Sequence, residues 1–429
     1  MVRIDSLDHE GRGVARVERK VVFVEGALPG EAVELQIWRR KSTFDLANTT
    51  RILSASPLRV TPPCRHFERC GGCSLQHLEP RAQVAMKQRV LEENLARIGK
   101  VEPETILSPI HGPVWGYRQR ARLSARYVAS KGGALVGFRE RRTHMVADMD
   151  SCEVLPRRIS ALIMPLRELV SEMDLAARIP QIEIAVGDDA TVLTVRVLDP
   201  PGDDDLRRLR SFGERHDLGI HLQTGGPDSI RSIGDVASHG LSYRLPEFDV
   251  ELQFLASDFT QVNQAVNRVL VRRAVAMLAP AEGETVADLF CGLGNFTLAL
   301  GRRGARVYGV EGSLELVERA TQNAARNGLA ERVEVFVADL FKQAPQALER
   351  LPRVDKMLLD PPRAGAFALV QALGTQAPSR IVYVSCDPAT LARDAGILVH
   401  GKGYALRAAG VVNMFPHTSH VESIALFER

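Results

Sequence analysis

The stretch Thr285-Val-Ala-Asp-Leu-Phe290-Cys-Gly-Leu-Gly294-Asn-Phe296-Thr297 decides the fold. It opens as a short apolar run, turns on two glycines that allow the backbone to bend sharply and approach a ligand, and continues into a helix from Thr297. Outward from this unit the pattern recurs. Apolar runs at Thr285–Phe290, Arg306–Val310, Val333–Val337, Lys356–Leu359 and Ile381–Val384 alternate with helical segments, which predicts a parallel sheet wrapped by helices, with ligands at the carboxyl ends of its strands. Glu311 closes the second run, where a carboxylate can grip ribose hydroxyls, and Asp339 closes the third, placed to meet an adenine amino group. The third glycine of the dinucleotide fingerprint is missing, which demotes NAD and favours S-adenosylmethionine.

The next two strand ends carry reacting groups. Asp360-Pro361-Pro362-Arg363 is a stiff loop aimed at the cofactor's sulfonium end, and the arginine after the proline pair argues against exocyclic amine chemistry. Ser385-Cys386-Asp387-Pro388 delivers a cysteine just before a helix expected to begin near Ala389. Carbon 5 of a pyrimidine is too weak a nucleophile to take a methyl group unaided, but thiolate addition at carbon 6 makes an enolate that can; Cys386 therefore fits covalent catalysis. Its activation is expected from the following helix N-terminus and from Arg363. The carbon 5 proton must then leave. Period-two alternation in the terminal strand puts Glu422 on the buried face with Ile424 and Leu426, which marks it as the general base, with His417 and His420 as alternatives. Gln261, Asn263 and Asn267 sit at a helix start, the two asparagines on one face, suited to capping or to ligand contact.

The rest of the chain reads differently. Of 429 residues 45% are hydrophobic and 25% charged, with a net charge of only +3, so any nucleic-acid surface must come from local charge. No apolar stretch approaches the roughly 18 to 20 residues needed to span a bilayer, and the charged N-terminus lacks a secretory core, so a cytoplasmic protein is expected. Residues 1–56 read as a small β-barrel, with Arg39, Arg40 and Lys41 after Trp38 as candidate RNA contacts. A helix-like run follows at Arg81–Ile98. Cys64, Cys70, Cys73 and the distant Cys152 supply four thiols in a reducing compartment; three clustered and one remote suit a cubane iron–sulfur cluster, while zinc stays open on spacing. Arg118, Arg120, Arg122 and Arg126 fall on one face of a strand, with Tyr117, Leu123 and Tyr127 on the other, a stripe fit to neutralise phosphates beside aromatics that could stack on bases.

The strings DHEGRG, VVFVEGALPGE, CRHFERCGGCSLQH, YRQRARL, DLFCGLGNF, DPPRAG and SCDP together resemble the bacterial RNA uracil-5-methyltransferases that act on 23S ribosomal RNA. The resemblance implies an α/β protein of three parts: a TRAM barrel over 1–56, an α+β iron–sulfur and RNA-binding domain over 57–255, and a Rossmann-like methyltransferase domain over 256–429, with residues 81–115 able to pack on the last. It implies Cys64, Cys70, Cys73 and Cys152 as [4Fe-4S] ligands, and Gln261, Phe290, Asn295, Glu311, Asp339 and Asp360 around S-adenosylmethionine. Cys386 takes the place of the nucleophile and Glu422 that of the base. The implied substrate is a uridine of 23S rRNA, the site usually numbered 1939, for an enzyme acting as a monomer without an obligate protein partner. Relatives acting on tRNA lack the barrel and the cysteines, which points to ribosomal RNA. The alternatives are another rRNA or tRNA uridine, a cytosine-5 RNA methyltransferase, and a non-catalytic RNA-binding redox sensor.

Overall fold

The computed structural model describes residues 1–234, 240–374 and 377–429. Its eight-stranded sheet contains β1 (Thr285–Leu289), β2 (Arg306–Glu311), β3 (Val333–Val337), β4 (Lys356–Leu359), β5 (Arg380–Ser385), β6 (Ala405–Val412) and β7 (Glu422–Glu428). Each of the five expected apolar runs ends within one residue of its strand. The order is β3-β2-β1-β4-β5-β7-β6, with the short strand Thr105–Ile106 at the outer edge. β1 to β5 are parallel, and β7 runs back between β5 and β6. Strand order reverses beside β1, so a crevice opens there at the carboxyl ends. β1, β4 and β5 are buried on both faces, which explains their unbroken apolar sequences.

One face of this sheet is covered by a core that includes Val286, Val307, Leu358 and Val382, the other by a core around Ala287, Met357, Ile381 and Tyr383. The hairpin Leu241–Leu245 with Val250–Phe254 packs into the first core, together with the helix Gln264–Leu278. The helix Pro80–Asn94 enters the second core through Val90 and Leu91. Glu79 caps it by accepting from the Ala82 N–H at 2.9 Å, and Pro80 occupies its first position, where a missing N–H costs nothing. Beyond Asn94 the chain widens into a single π turn over Leu95–Gly99 instead of continuing as α-helix, and this leaves Ile98 49% exposed.

The N-terminal six strands pair in the order Val2–Arg3, Ala32–Arg40, Phe44–Ser54, Lys20–Glu25, Gly13–Val17, Ser6–Leu7, around a small core of Ile4, Val22, Val24 and Val33. A second six-stranded sheet, which includes Arg120–Val128 and Gly133–Gly137, packs against the helices Ile163–Glu172 and Asp203–His216. Among the described residues no helix is long and apolar enough to cross a membrane.

Candidate active site

A cleft of ≈ 550 Å³ opens at the carboxyl ends of β1 to β5, and Gln261, Phe290, Asn295, Glu311, Asp339, Asp360, Cys386 and Glu422 all line it. The floor is the glycine turn. Phe290, Gly292 and Gly294 have φ of 65°, 55° and 98°, and a Cβ on Gly294 would stand 2.5 Å from Leu298 Cδ1, so a side chain at the third of these positions would be strained and would displace the leucine. Glu311 ties the turn to β2: Oε2 accepts from the Gly292 N–H at 3.1 Å, and Oε1 from those of Gly312 and Ser313 at 2.7 and 3.1 Å. Asp339 accepts from the N–H groups of Phe341 and Lys342 at 3.0 and 3.2 Å. The rings of Phe290 and Phe341 lie 5.6 Å apart beside it and give the cleft an apolar wall.

Asn295 is fixed by a reciprocal amide pair with Asn267, whose bonds measure 2.9 and 3.0 Å, and its Oδ1 also accepts from the Tyr243 hydroxyl at 2.9 Å. Asn267 thus supports a cleft residue from behind, whereas Asn263 is a helix cap that accepts from the Val266 N–H. Beneath the turn Asp288 is fully buried; the Thr297 hydroxyl donates to Oδ2 at 2.5 Å and Oδ1 has no partner. Burial, opposed in part by that hydroxyl, pushes its carboxyl up to about 7, and burial does the same to Asp360.

At the reacting end Cys386 is half-buried, and its thiol is pushed up to about 11 by burial and by the Glu422 and Asp360 carboxylates, with Arg363 acting the other way. Arg363 therefore pulls in the expected direction. The helix N-terminus does not, because Asp387 caps Pro388–Lys402 and its Oδ1 takes the N–H groups of Ala389 and Thr390 at 2.9 and 3.2 Å. Glu422 is buried on β7 with Oε2 unpartnered, and burial together with Asp360 drives its carboxyl well above the usual range. His420 lines the cleft, where Arg363 Nη2 donates to its Nδ1 at 3.0 Å. His417 does not reach the cleft: it is buried, stacked on Trp115 with centroids 3.8 Å apart, and bonded through Nδ1 to Gln83 at 3.1 Å.

Two features escaped the sequence reading. Lys87 is fully buried, and its Nζ donates to Asn413 Oδ1 and the Phe415 carbonyl, both at 2.8 Å. The legible signal was that Gln83 and Lys87 share the buried stripe of their helix with Met86, Val90 and Leu91, polar residues at apolar positions. The second is that the cysteine loop touches the catalytic unit directly, since the Ser74 and Leu75 N–H groups donate to the His417 carbonyl at 2.8 and 2.9 Å.

The four thiols Cys64, Cys70, Cys73 and Cys152 are free. Cys70 and Cys152 lie in one apolar cluster with Cys73 packed against it, and the thiols of Cys70, Cys73 and Cys152 are pushed up first by burial and then by neighbours from the same set. Among the described residues no three His, Cys, Asp or Glu side chains are arranged to hold a metal ion.

The arginine stripe divides on inspection. Arg122 and Arg126 are exposed, the first bonded to Glu183 at 3.0 Å, whereas Arg120 is half-buried and donates to the Ala256 carbonyl at 2.6 Å. Arg118 donates to the Arg120 carbonyl and lies 5.6 Å from the Phe138 ring centre. Tyr117 cannot stack on a base as expected: it is 4% exposed and its hydroxyl donates to the Pro416 carbonyl. Its neighbour in that expectation, Tyr127, is open to solvent.

A doubly wound sheet with a reversed β7, a glycine turn beneath acidic strand ends, and a cleft shaped for a nucleoside define a Rossmann-like, S-adenosylmethionine-dependent methyltransferase. The family described as tRNA (uracil-5-)-methyltransferase matches residues 81–429, and the TRAM domain matches residues 1–44. The chain belongs to this family and is an RNA uracil-5-methyltransferase. It is 57% identical over 100% of its length to the 23S rRNA (uracil(1939)-C(5))-methyltransferase RlmD of Nitrosospira multiformis, covering 98% of that protein. With the protein of the same description from Azoarcus sp. strain BH72 it shares 58% identity, over 99% of both chains. The solved Pyrococcus abyssi tRNA (uracil-54, C5)-methyltransferase in complex with S-adenosyl-L-homocysteine superposes with a TM-score of 0.75 at 26% identity, covering 100% of this chain and 99% of that one. This last likeness corrects one expectation: a tRNA-modifying relative spans the whole architecture, barrel included, so the barrel does not separate ribosomal from transfer RNA.

Proposed function

We propose that this enzyme methylates carbon 5 of the uridine of 23S rRNA that corresponds to position 1939, through a covalent Cys386 adduct. The full-length identity of 57% and 58% to proteins described by that activity carries the substrate assignment. The gathering of Cys386, Asp360 and Glu422 in one cleft with the cofactor-gripping residues carries the mechanism. When bound, S-adenosylmethionine supplies an electrophilic methyl group. Glu311 and Asp339 are suited to the ribose hydroxyls and the adenine amine, and Asn295, Phe290, Gln261 and Asp360 to the remainder of the cofactor. The Cys386 thiolate adds to carbon 6, the ring electrons move to the carbon 4 oxygen as an enolate, and carbon 5 attacks the methyl. Glu422 then removes the carbon 5 proton, the double bond re-forms and the thiolate leaves. A thiol pushed up to about 11 is almost wholly protonated at neutral pH, so Cys386 must give up its proton before it adds to carbon 6, and the Arg363 charge acts in that direction.

The all-thiol donor set Cys64, Cys70, Cys73 and Cys152 has the soft chemistry that an iron–sulfur cluster takes, and a [4Fe-4S] group held there would brace the loop that bonds to His417. Arg122, Arg126 and Tyr127 remain the members of the stripe placed to meet RNA. The three-part division at residues 56 and 255 describes chain order, while the helix Pro80–Asn94, the strand Thr105–Ile106 and the hairpin Leu241–Phe254 pack with the methyltransferase sheet. The substrate is tested by mapping 5-methyluridine in 23S rRNA and tRNA from cells with and without this gene: loss confined to the 1939 site supports the proposal, and loss in tRNA assigns the activity of the archaeal relative instead.

A further inference from the structure

Glu422 must be a carboxylate when the carbon 5 proton departs, yet its surroundings oppose this. It is 3% exposed, Oε2 has no hydrogen-bond partner, and the Asp360 carboxylate and Cys386 share its end of the cleft. The opposing charge comes from outside the sheet. Lys87, on the helix Pro80–Asn94, is also fully buried, and its ammonium is clamped by Asn413 Oδ1 and the Phe415 carbonyl. Asn413 directly follows Val412, the strand partner of Glu422 in the β6–β7 ladder, and Phe415 lines the cleft with Glu422, so the clamp holds the ammonium on the Glu422 side of the cleft, within reach of its charge. An unpaired lysine is seldom left in a core, because an isolated buried charge is costly. Here a buried acid lies within range of the buried ammonium.

We propose, on the reading of Glu422 as the base, that Lys87 is a positioning residue for it: the clamped ammonium is the counter-charge that keeps Glu422 ionised and so able to take the carbon 5 proton. The charges of the pair act on each other in this sense, against burial, which is the larger influence on both. Burial brings Lys87 down to about 7 and Glu422 acts to hold it up, while Lys87 acts to hold Glu422 down. His417 and His420, on the loop that clamps Lys87, are both shifted towards the neutral imidazole and add no competing cation; Arg363 acts on Cys386 and His420. The pair also links the helix preceding the methyltransferase fold to the chemistry.

The test uses the full-length holoenzyme with RNA carrying tritium at uridine carbon 5, whose release reads proton abstraction, followed as a function of pH. Lys87→Met keeps the length of the side chain and removes its charge. Since a nearby opposite charge lowers a carboxyl by roughly one to three pK units, the acid limb of tritium release should move at least about one unit towards alkaline pH. Release at pH 7 should fall by about tenfold or more while the RNA–enzyme adduct accumulates. Lys87→Arg, permanently charged, should leave the limb unmoved or shift it towards acid. A uniform loss at every pH, or an unmoved limb in Lys87→Met, overturns the proposal. Glu422→Gln run alongside separates the two readings: normal tritium release there removes Glu422 as the base, whatever Lys87 does. Should Lys87→Met fail to fold, infrared difference spectra between wild type and Glu422→Gln at pH 7 decide; a carboxylate band supports the counter-charge, and a protonated carboxyl band contradicts it.

Discussion

The two ends of the cleft hold acidic residues in opposite ways. At the end proposed to hold the cofactor, Glu311 and Asp339 have five backbone N–H groups between them, so the charges are satisfied before any ligand arrives. At the end proposed for the chemistry, Asp360, Cys386 and Glu422 are buried or half-buried together, Glu422 has an unpartnered oxygen, and all three are pushed towards their protonated forms. A gripping group works best when rigid and solvated by the backbone. A reacting group must be able to change protonation state, and it is the withheld hydrogen bonds that make this possible.

Substitutions on the two sides should therefore fail differently. The largest effect is expected at the nucleophile: Cys386→Ala should reduce methylation by more than about 10³-fold while calorimetry finds cofactor affinity within about twofold of wild type. Glu422→Gln comes next. Turnover should fall by about 10²- to 10⁴-fold, with methylated RNA held on the protein and visible as a retarded band on a denaturing gel. On the gripping side Glu311→Ala loses charge-assisted bonds worth about 1.5–3 kcal/mol, so the cofactor Kd should rise roughly 10- to 150-fold while kcat at saturating cofactor largely recovers.

A pH experiment sharpens the contrast without ligand. Asp288 and Asp360 are raised to about 7 in the fold, against about 3.9 in the unfolded chain, so the fold binds their protons more tightly. Their contribution is fully present below about pH 4 and is lost as pH rises towards and through 7. The Tm of the apo protein should accordingly show a downward component over that window, and Asp288→Asn should flatten it. The smallest effect belongs to the outer face. Arg122→Ala and Arg126→Ala should each weaken RNA binding a few-fold and reduce the slope of log affinity against log salt by about one.

The sheet was legible because parallel strands buried on both faces leave continuous apolar runs, and the place of Glu311 and Asp339 in the cleft because they fall at or just beyond strand ends. The reacting end was legible only in part. Cys386 and Glu422 stand out by residue type, but Lys87 lies more than three hundred positions from Asn413 and enters through a helix outside the repeating pattern. The arginine stripe misled because alternation reveals which residues share a face and not whether a neighbouring segment covers it: the Ala256 carbonyl occupies Arg120. His417 looked like a base beside His420, but its ring is buried in the stack with Trp115.

The central claim is that one half-buried sulfur bonds to the pyrimidine. Enzyme incubated with cofactor and RNA containing 5-fluorouridine, which has no removable proton at carbon 5, should stall as a stable adduct. After protease and nuclease digestion, mass spectrometry should find the methylated fluoropyrimidine on the peptide carrying Cys386. Recovery of the nucleotide on another cysteine, or full methylation without any protein-linked RNA, would contradict the account.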